Sequence, residues 1–168
     1  MNIRYTIVDS APGRVLVAAT ERGVCAVAMG KSDADLERDL AREYPAAAIG
    51  VAGPSFARWT AEILARLSGR RPRLDLPLDV QATAFQWQVW QALAAIPFGE
   101  TRTYGQVAAA IGRPRSVRAV ARACATNPVA VAIPCHRVIG ASGALSGYRW
   151  GVERKRELLR REAGVAGQ

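Results

Sequence analysis

The sequence predicts an α+β protein in which a small amino-terminal domain with an antiparallel β-sheet and helices precedes a mostly helical carboxy-terminal domain. The second domain is predicted to carry a helix-turn-helix and a candidate active-site cysteine. Three observations lead to this prediction. Apolar and polar residues alternate through the first thirty positions, which is typical of strands. Beyond about position 80, apolar residues recur at helical spacing, and the charge becomes strongly basic.

Three strands are predicted at the amino terminus, at Ile3 to Val8, Arg14 to Ala19 and Val24 to Met29. The tripeptide Glu21-Arg22-Gly23 has the composition of a turn between the last two. Strands this close in sequence form an antiparallel meander most simply. Cys25 falls among apolar neighbours in the third strand, so we expect it to pack in the core.

Three helices are predicted before position 100. The first is capped by Ser32, with Asp35 three residues later, and Pro45 ends it. The second extends from about Pro54 to Leu67, and Thr83 can cap the third. Their apolar stripes comprise Leu36, Leu40 and Tyr44; Phe56, Trp59, Ile63 and Leu67; and Phe85, Val89, Trp90 and Leu93.

A domain boundary is predicted in the stretch Gly69 to Asp79, which is rich in Arg, Pro and Leu and lacks helical periodicity. We therefore expect domains at residues 1–79 and 80–168. Residues 1–80 hold 11 basic and 10 acidic side chains, whereas residues 81–168 hold 12 basic and 4 acidic ones. The second part would attract phosphate, although a solvated basic face has the same composition.

A helix-turn-helix is predicted at the start of the basic part. Thr103 can cap a short helix that ends at Gly112, and Ser116 can begin a second helix. Arg118 and Arg122 lie four residues apart on the second helix and therefore on one face. The alanines beside them are small enough to approach a nucleic-acid groove. Paired short helices also occur in proteins that bind no DNA, so both interpretations stay open.

The segment Ile133-Pro134-Cys135-His136-Arg137-Val138 contains a thiol directly beside the only histidine of the chain. The thiolate is the nucleophilic form of cysteine, and a neighbouring imidazole raises its fraction. The apolar run Val129 to Ile133 predicts a buried strand, and Pro134 predicts a bend after it. Cys135 and His136 would then meet across the bend or through a water. The alternative is that both are ordinary buried residues.

The composition indicates a cytoplasmic protein. The three cysteines form no disulfide framework, the amino terminus does not resemble a signal peptide, and no apolar run reaches the roughly 18 residues of a membrane span. One histidine and three scattered cysteines offer no ligand cluster, so we expect no metal. We also expect no membrane contact and a monomer, since nothing in the sequence requires a dimer.

Two segments resemble the O6-alkylguanine-DNA alkyltransferases, also called methylated-DNA–protein-cysteine methyltransferases. They are Pro134 to Val138, with the sequence Pro-Cys-His-Arg-Val, and Thr101 to Val120, with the helix-turn-helix. The pair Arg149-Trp150 is similar to the bacterial branch. The resemblance implies DNA repair by irreversible, stoichiometric transfer of an alkyl group from O6-alkylguanine, and from O4-alkylthymine, to Cys135. It implies no cofactor, and as partner it implies double-stranded DNA bound through the minor groove.

The resemblance also implies catalytic roles. Glu162 would orient His136, which would draw the proton from Cys135 through a water. Asn127 would tie the recognition helix to the active-site turn. Tyr104 would help the target nucleotide rotate out of the duplex and could donate a proton to the departing oxygen. On the residues alone, a surface role for Glu162 and an ordinary helix end at Asn127 stay open.

Two further sets of residues follow from the resemblance. Arg118 would fill the space left by the extruded base, and a phosphate contact is its alternative. Tyr148 would address the base edge, and Trp150 would narrow the pocket. The DNA-binding set comprises Tyr104, Arg115, Arg118, Ala119 and Arg122. The substrate-pocket set comprises Pro134, Val138, Tyr148, Arg149 and Trp150.

Two other functions compete with this one. A protein that binds alkylated bases without transferring the alkyl group would use the same DNA-binding residues, and the presence of Cys135 argues against it. A cysteine hydrolase with a Cys-His-Glu triad would turn over repeatedly and would need no DNA. Transfer of label to the protein, binding without transfer and multiple turnover distinguish the three.

Overall fold

The computed structural model confirms the α+β class, with a mainly antiparallel sheet followed by a helical part. The described residues are 1–68, 76–145 and 147–166. The chain forms two compact units, one of Met1–Val80 with Pro128–Ala132 and one of Gln81–Asn127 with Ile133–Gln168. Most of the predicted linker, residues 69–75, lies outside the described residues.

The first unit contains a four-stranded sheet in the order β3-β2-β1-β4. The strands are β1 Asn2–Val8, β2 Arg14–Thr20, β3 Gly23–Gly30 and β4 Ala48–Val51. The first three form the predicted antiparallel meander. The sequence does not predict β4, which pairs with β1 in parallel. Four residues are too few to display an alternating pattern.

The two helices of the first unit begin close to their predicted starts. Helix α1 spans Asp33–Glu43, and the Ser32 hydroxyl accepts a hydrogen bond from the backbone N–H of Asp35 at 3.2 Å. Helix α2 spans Ala57–Leu67 and follows a 3₁₀ turn at Pro54–Phe56. The α-helical part therefore starts after the proline that the sequence suggested as its beginning.

The core of the first unit combines residues of the sheet and of α1. Its buried members are Ile3, Leu16, Ala18, Cys25, Ala26, Leu36 and Leu40. Burial raises the pKa of the Cys25 thiol to about 11, so it stays protonated at neutral pH. Cys25 is a packing residue, as the sequence predicts.

The second unit is mainly helical. Its helices are α3 Ala84–Ala94, α4 Tyr104–Ala110, α5 Val117–Ala125 and α6 Val152–Ala166. Thr83 and Thr103 each cap a helix through a reciprocal capping box, with Gln86 and Gln106 as the respective partners. Within the part of the chain that the structure describes, no helix combines the length and the apolar character needed to cross a membrane.

Helices α4 and α5 form the predicted helix-turn-helix. Gly112 lies between them at φ 74°, a left-handed conformation that glycine adopts without steric cost. The indole N–H of Trp90 on α3 donates to the carbonyl of Ala123 on α5 at 2.9 Å, which fixes the second helix of the motif against α3. A short parallel pair, β5 Arg102–Thr103 and β6 Val138–Ile139, links the start of α4 to the segment after His136.

The predicted strand at Val129 to Ile133 is wrong. Val129 takes part in an isolated bridge with Val27 and not in a strand, and the N–H of Ala130 donates to the Val27 carbonyl at 2.9 Å. Val131 then adopts φ 58°, and the chain turns there. The apolar run correctly indicates that this segment is buried. An apolar run alone, however, does not distinguish a buried strand from a buried compact turn.

Candidate active site

Cys135 begins a 3₁₀ turn at Cys135–Arg137, directly after Pro134. The predicted bend is therefore present, and the backbone N–H of Cys135 closes it by donating to the Ile133 carbonyl at 2.8 Å. Burial raises the pKa of the Cys135 thiol to about 11, although a hydrogen bond from Asn127 and the charge of Lys155 act in the opposite direction. The resting thiol is consequently protonated, and a base must remove its proton before it can attack.

Glu162 on α6 joins two residues of this turn. His136 Nε2 lies 2.7 Å from Glu162 Oε1, and Arg137 donates through Nε and Nη2 at 2.9 Å each. All three side chains are buried. Burial alone would favour the neutral acid, but the hydrogen bonds from His136 and Arg137 outweigh it and lower the pKa of Glu162 to about 2. Glu162 is therefore a buried carboxylate that holds the histidine by one ring nitrogen.

Asn127 connects the end of α5 to the nucleophile. Its Nδ2 donates to the Ile133 carbonyl at 2.8 Å and to Cys135 Sγ at 3.1 Å. The side chain is completely buried. A donor at this distance favours the thiolate, because the negative sulfur accepts a stronger hydrogen bond than the thiol does.

A cavity of about 340 Å³ lies beside Cys135. Its described lining comprises Tyr104, Ala121, Cys124, Ala125, Cys135, Gly147, Tyr148 and Arg149. Burial raises the pKa of Tyr104 to about 12, and it raises that of Tyr148 as well. The Tyr148 hydroxyl oxygen is buried and makes no hydrogen bond with the described residues. A volume of this order accommodates a small organic ligand.

Only some of the residues predicted to form the substrate pocket line the cavity. Tyr148 and Arg149 line the cavity, whereas Pro134 and Val138 are buried at either end of the nucleophile turn. Trp150 packs edge-on against Tyr148 at 5.3 Å between ring centroids. It therefore supports the wall through Tyr148.

Lys155 is a site residue that the sequence does not reveal. Its ammonium is fully buried and donates to the carbonyls of Val138 at 2.6 Å and Gly147 at 3.2 Å. Burial lowers its pKa. Spacing in the sequence could have indicated that Lys155 faces the interior. Lys155, Leu158 and Glu162 are three and four residues apart and therefore share one face of α6.

Two family profiles match the chain. The ribonuclease-like domain of 6-O-methylguanine DNA methyltransferase matches residues 3–80, and the DNA binding domain of the same enzyme matches residues 84–164. The chain belongs to the 6-O-methylguanine DNA methyltransferase family.

Individual relatives agree with this family. The bifunctional transcriptional activator/DNA repair enzyme Ada of Escherichia coli K12 is 54% identical to this chain over 96% of the chain's length. The matched region is only 46% of the length of Ada. A methylated-DNA–protein-cysteine methyltransferase of Methanosarcina barkeri is 41% identical over 94% of this chain and 96% of its own length. Among solved structures, Mycobacterium tuberculosis OGT in complex with DNA has a TM-score of 0.81 at 36% identity and covers 98% of this chain and 94% of its own.

The residues predicted to contact DNA in this methyltransferase family member all lie in the helix-turn-helix of α4 and α5. Arg115, Arg118 and Arg122 are exposed, and Ala119 is half-buried. Ala119 and Arg122 also border a groove of about 240 Å³ with the start of α3. Tyr104, the first residue of α4, lines the cavity that contains Cys135. The helix-turn-helix thus contributes both an exposed basic surface and part of the active-site wall.

The basic character of α6 is partly neutralised within the helix. Arg156 pairs with Glu153 at 2.8 Å, and Glu157 accepts from Arg160 and Arg161 at 2.8 and 2.7 Å. These pairs reduce the charge that α6 offers to phosphate, which leaves α5 as the stronger candidate for DNA contact.

Proposed function

We propose that this protein repairs DNA by transferring the alkyl group of O6-alkylguanine irreversibly to Cys135. The observation that carries the proposal is a cavity lined by Cys135, whose neighbour in the chain, His136, pairs with the buried Glu162. Family membership supports the same reaction. The proposed product is a thioether, which has no carbonyl for water to attack, so one protein molecule repairs one lesion.

Proton transfer in this mechanism starts from Glu162. Its carboxylate is ionised at neutral pH and accepts a hydrogen bond from the Nε2–H of His136, which leaves Nδ1 as the basic nitrogen. His136 Nδ1 then takes the proton of Cys135 through a bridging water. Asn127 stabilises the sulfur as negative charge develops on it.

Alkyl transfer is an in-line displacement. A bond forms between Cys135 Sγ and the alkyl carbon while the bond between that carbon and the guanine oxygen breaks, and its electron pair stays on the base. Tyr104 lines the cavity, and its hydroxyl, which a pKa of about 12 keeps protonated, would supply the proton that neutralises the departing guanine.

The proposed partner is double-stranded DNA bound as substrate by a protein monomer through the minor groove. An alkyl group on a stacked base cannot reach Cys135 in line, so the nucleotide must rotate into the cavity. Arg118, exposed near the start of α5, would fill the vacated space, and Tyr104 would displace the neighbouring phosphate. The exposed arginines of α5 would hold the flanking phosphates.

The test is an intact mass measurement after incubation with excess duplex that contains one O6-methylguanine, followed by peptide mapping. We expect one added methyl group per protein, on Cys135 and not on Cys25 or Cys124, and none in Cys135→Ala. Binding without modification would support an alkylated-base-binding protein, the alternative function. Loss of more than one lesion per protein would exclude the single-turnover mechanism.

A further inference from the structure

The Tyr148 hydroxyl is a buried polar group that has no hydrogen-bond partner in the described parts of the chain. The residue lines the cavity that Cys135 also lines, and its ring packs edge-on against Trp150. A buried hydroxyl without a hydrogen bond destabilises a fold, and a phenylalanine of the same shape would avoid that cost. The hydroxyl of Tyr148 therefore contributes something other than stability.

Tyr148 acts as a hydrogen-bond donor and not as an anion. Burial raises its pKa well above the ordinary value, and the negative charges of Cys135 and Glu162 act in the same direction. Both groups therefore lie close enough to the hydroxyl for their charges to act on it. At neutral pH Tyr148 presents an O–H near two groups that accept hydrogen bonds when they are ionised.

Of these two groups, Glu162 already has its donors. Its Oε1 accepts from His136 and from Arg137 Nη2, and its Oε2 accepts from Arg137 Nε. The sulfur of Cys135 accepts from Asn127 Nδ2 at 3.1 Å, and it becomes negative only when its proton leaves. An anionic sulfur has further lone pairs that accept hydrogen bonds. The acceptor that Tyr148 lacks in the resting protein is thus created when Cys135 is deprotonated.

We propose that the Tyr148 hydroxyl is a second hydrogen-bond donor to the Cys135 thiolate, beside Asn127, and is therefore a further catalytic residue. A thiol sulfur is a weak acceptor, whereas a hydrogen bond to a charged group is about twice as strong as a neutral one. The hydroxyl consequently favours the reactive form of Cys135. The consequence for repair rests on the proposed function, but the thiolate itself forms without DNA.

Several other groups influence the protonation of Cys135. Burial raises the pKa of its thiol, and the groups that act against burial are Asn127, Lys155 and Arg149. Cys124 on α5 and Tyr104 on α4 stay protonated, with pKa values of about 12. His136, held by Glu162, is the proposed base. Removal of the Tyr148 hydroxyl changes none of these charges, so it isolates the effect of one donor.

The experiment measures the rate at which iodoacetamide alkylates Cys135. This small reagent reacts with thiolates and needs no DNA, and peptide mapping separates Cys135 from Cys25 and Cys124. Rate constants are determined from neutral to alkaline pH for the wild type, Tyr148→Phe and Tyr5→Phe. The last variant is the control, because it removes a hydroxyl that donates to Glu37 in the first unit. Urea unfolding and single-turnover methyl transfer from O6-methylguanine duplex are measured for the same proteins.

We expect Cys135 of Tyr148→Phe to react about tenfold more slowly than that of the wild type at neutral pH, which is the effect of losing one charge-assisted hydrogen bond. The difference should disappear at alkaline pH, where the thiolate forms without help. Methyl transfer should slow by a similar factor, and Tyr5→Phe should react like the wild type. Because the hydroxyl has no partner at rest, Tyr148→Phe should unfold at the same urea concentration as the wild type or a higher one.

Two results would overturn the proposal. One is equal reactivity of Tyr148→Phe and the wild type at every pH, and the other is a lower urea midpoint for Tyr148→Phe, which would make the hydroxyl structural. Failure of the proposed function gives a different result. In that case the wild type would accept no methyl group from the duplex, while the reaction of Cys135 with iodoacetamide would still depend on Tyr148.

Discussion

Replacing Glu162 by glutamine removes the negative charge that His136 and Arg137 share. Arg137 is 1% exposed, so the variant leaves a buried guanidinium without its carboxylate. Breaking a buried ion pair in this way costs about 3–5 kcal/mol. The lowered pKa gives a similar figure, because the difference between the ordinary value of 4.5 and about 2 corresponds to about 3 kcal/mol at neutral pH. We therefore expect Glu162→Gln to lose about 3–5 kcal/mol of unfolding free energy.

Glu157 provides a matched control on the same helix. It also binds two cations, Arg160 and Arg161, and its pKa is also lowered to about 2, by hydrogen bonds from both. Its side chain is 30% exposed and that of Arg160 is 67% exposed. Pairs that are this accessible to water contribute about 0–1 kcal/mol. Glu157→Gln should therefore be nearly neutral.

Urea unfolding followed by tryptophan fluorescence measures both variants, at pH 7 and at decreasing pH. Because the pKa of Glu162 is lowered on folding, its contribution is complete above about pH 4.5 and is lost as the pH falls towards 2. The difference between wild type and Glu162→Gln should shrink over that range. Equal losses for the two variants at pH 7, or a difference independent of pH, would refute the reasoning.

Three other substitutions test the site. Lys155→Met should cost about 1–3 kcal/mol in urea unfolding, because the buried carbonyl of Val138 and the carbonyl of Gly147 both lose their donor. It should also move the pH profile of methyl transfer upwards, since Lys155 acts to lower the pKa of Cys135; an unmoved profile would mean that Lys155 is only structural. Asn127→Ala should slow methyl transfer at pH 7 roughly tenfold through a higher thiol pKa, and the loss should be recovered at higher pH. Arg118→Ala should slow transfer from duplex by about tenfold or more while leaving reaction with free O6-methylguanine base unchanged, because only the duplex requires base extrusion; equal slowing of both would contradict that role.

Local signals in the sequence predict the framework of the site well. Thr103 and Gln106 form a capping box because both partners lie within one helical turn, and no distant residue is needed. The same holds for Ser32 at the start of α1. The turn at Cys135 follows from Pro134, whose fixed φ acts on its immediate neighbours.

Contacts between residues that are far apart in the sequence leave no such local signal. The composition of α6 does not show whether Lys155 or Arg156 faces the interior, and only the structure separates the buried ammonium from the exposed guanidinium. Arg137 pairs with a carboxylate 25 positions away, so its role in fixing Glu162 had no local signature. The strand predicted for the apolar run after Pro128 was wrong for the same reason. The conformation of this run depends on a contact with Val27, about 100 positions earlier in the chain.

The pairing of His136 with Glu162 also fixes an order of events during synthesis. The two residues are 26 positions apart, and the carboxylate lies on α6, which leaves the ribosome after the thiol and the imidazole. Until α6 has emerged and folded, Cys135 lacks the ion pair that would activate it. A nascent chain therefore carries a dormant thiol, and under the proposed mechanism Cys135 does not react before α6 has folded against it.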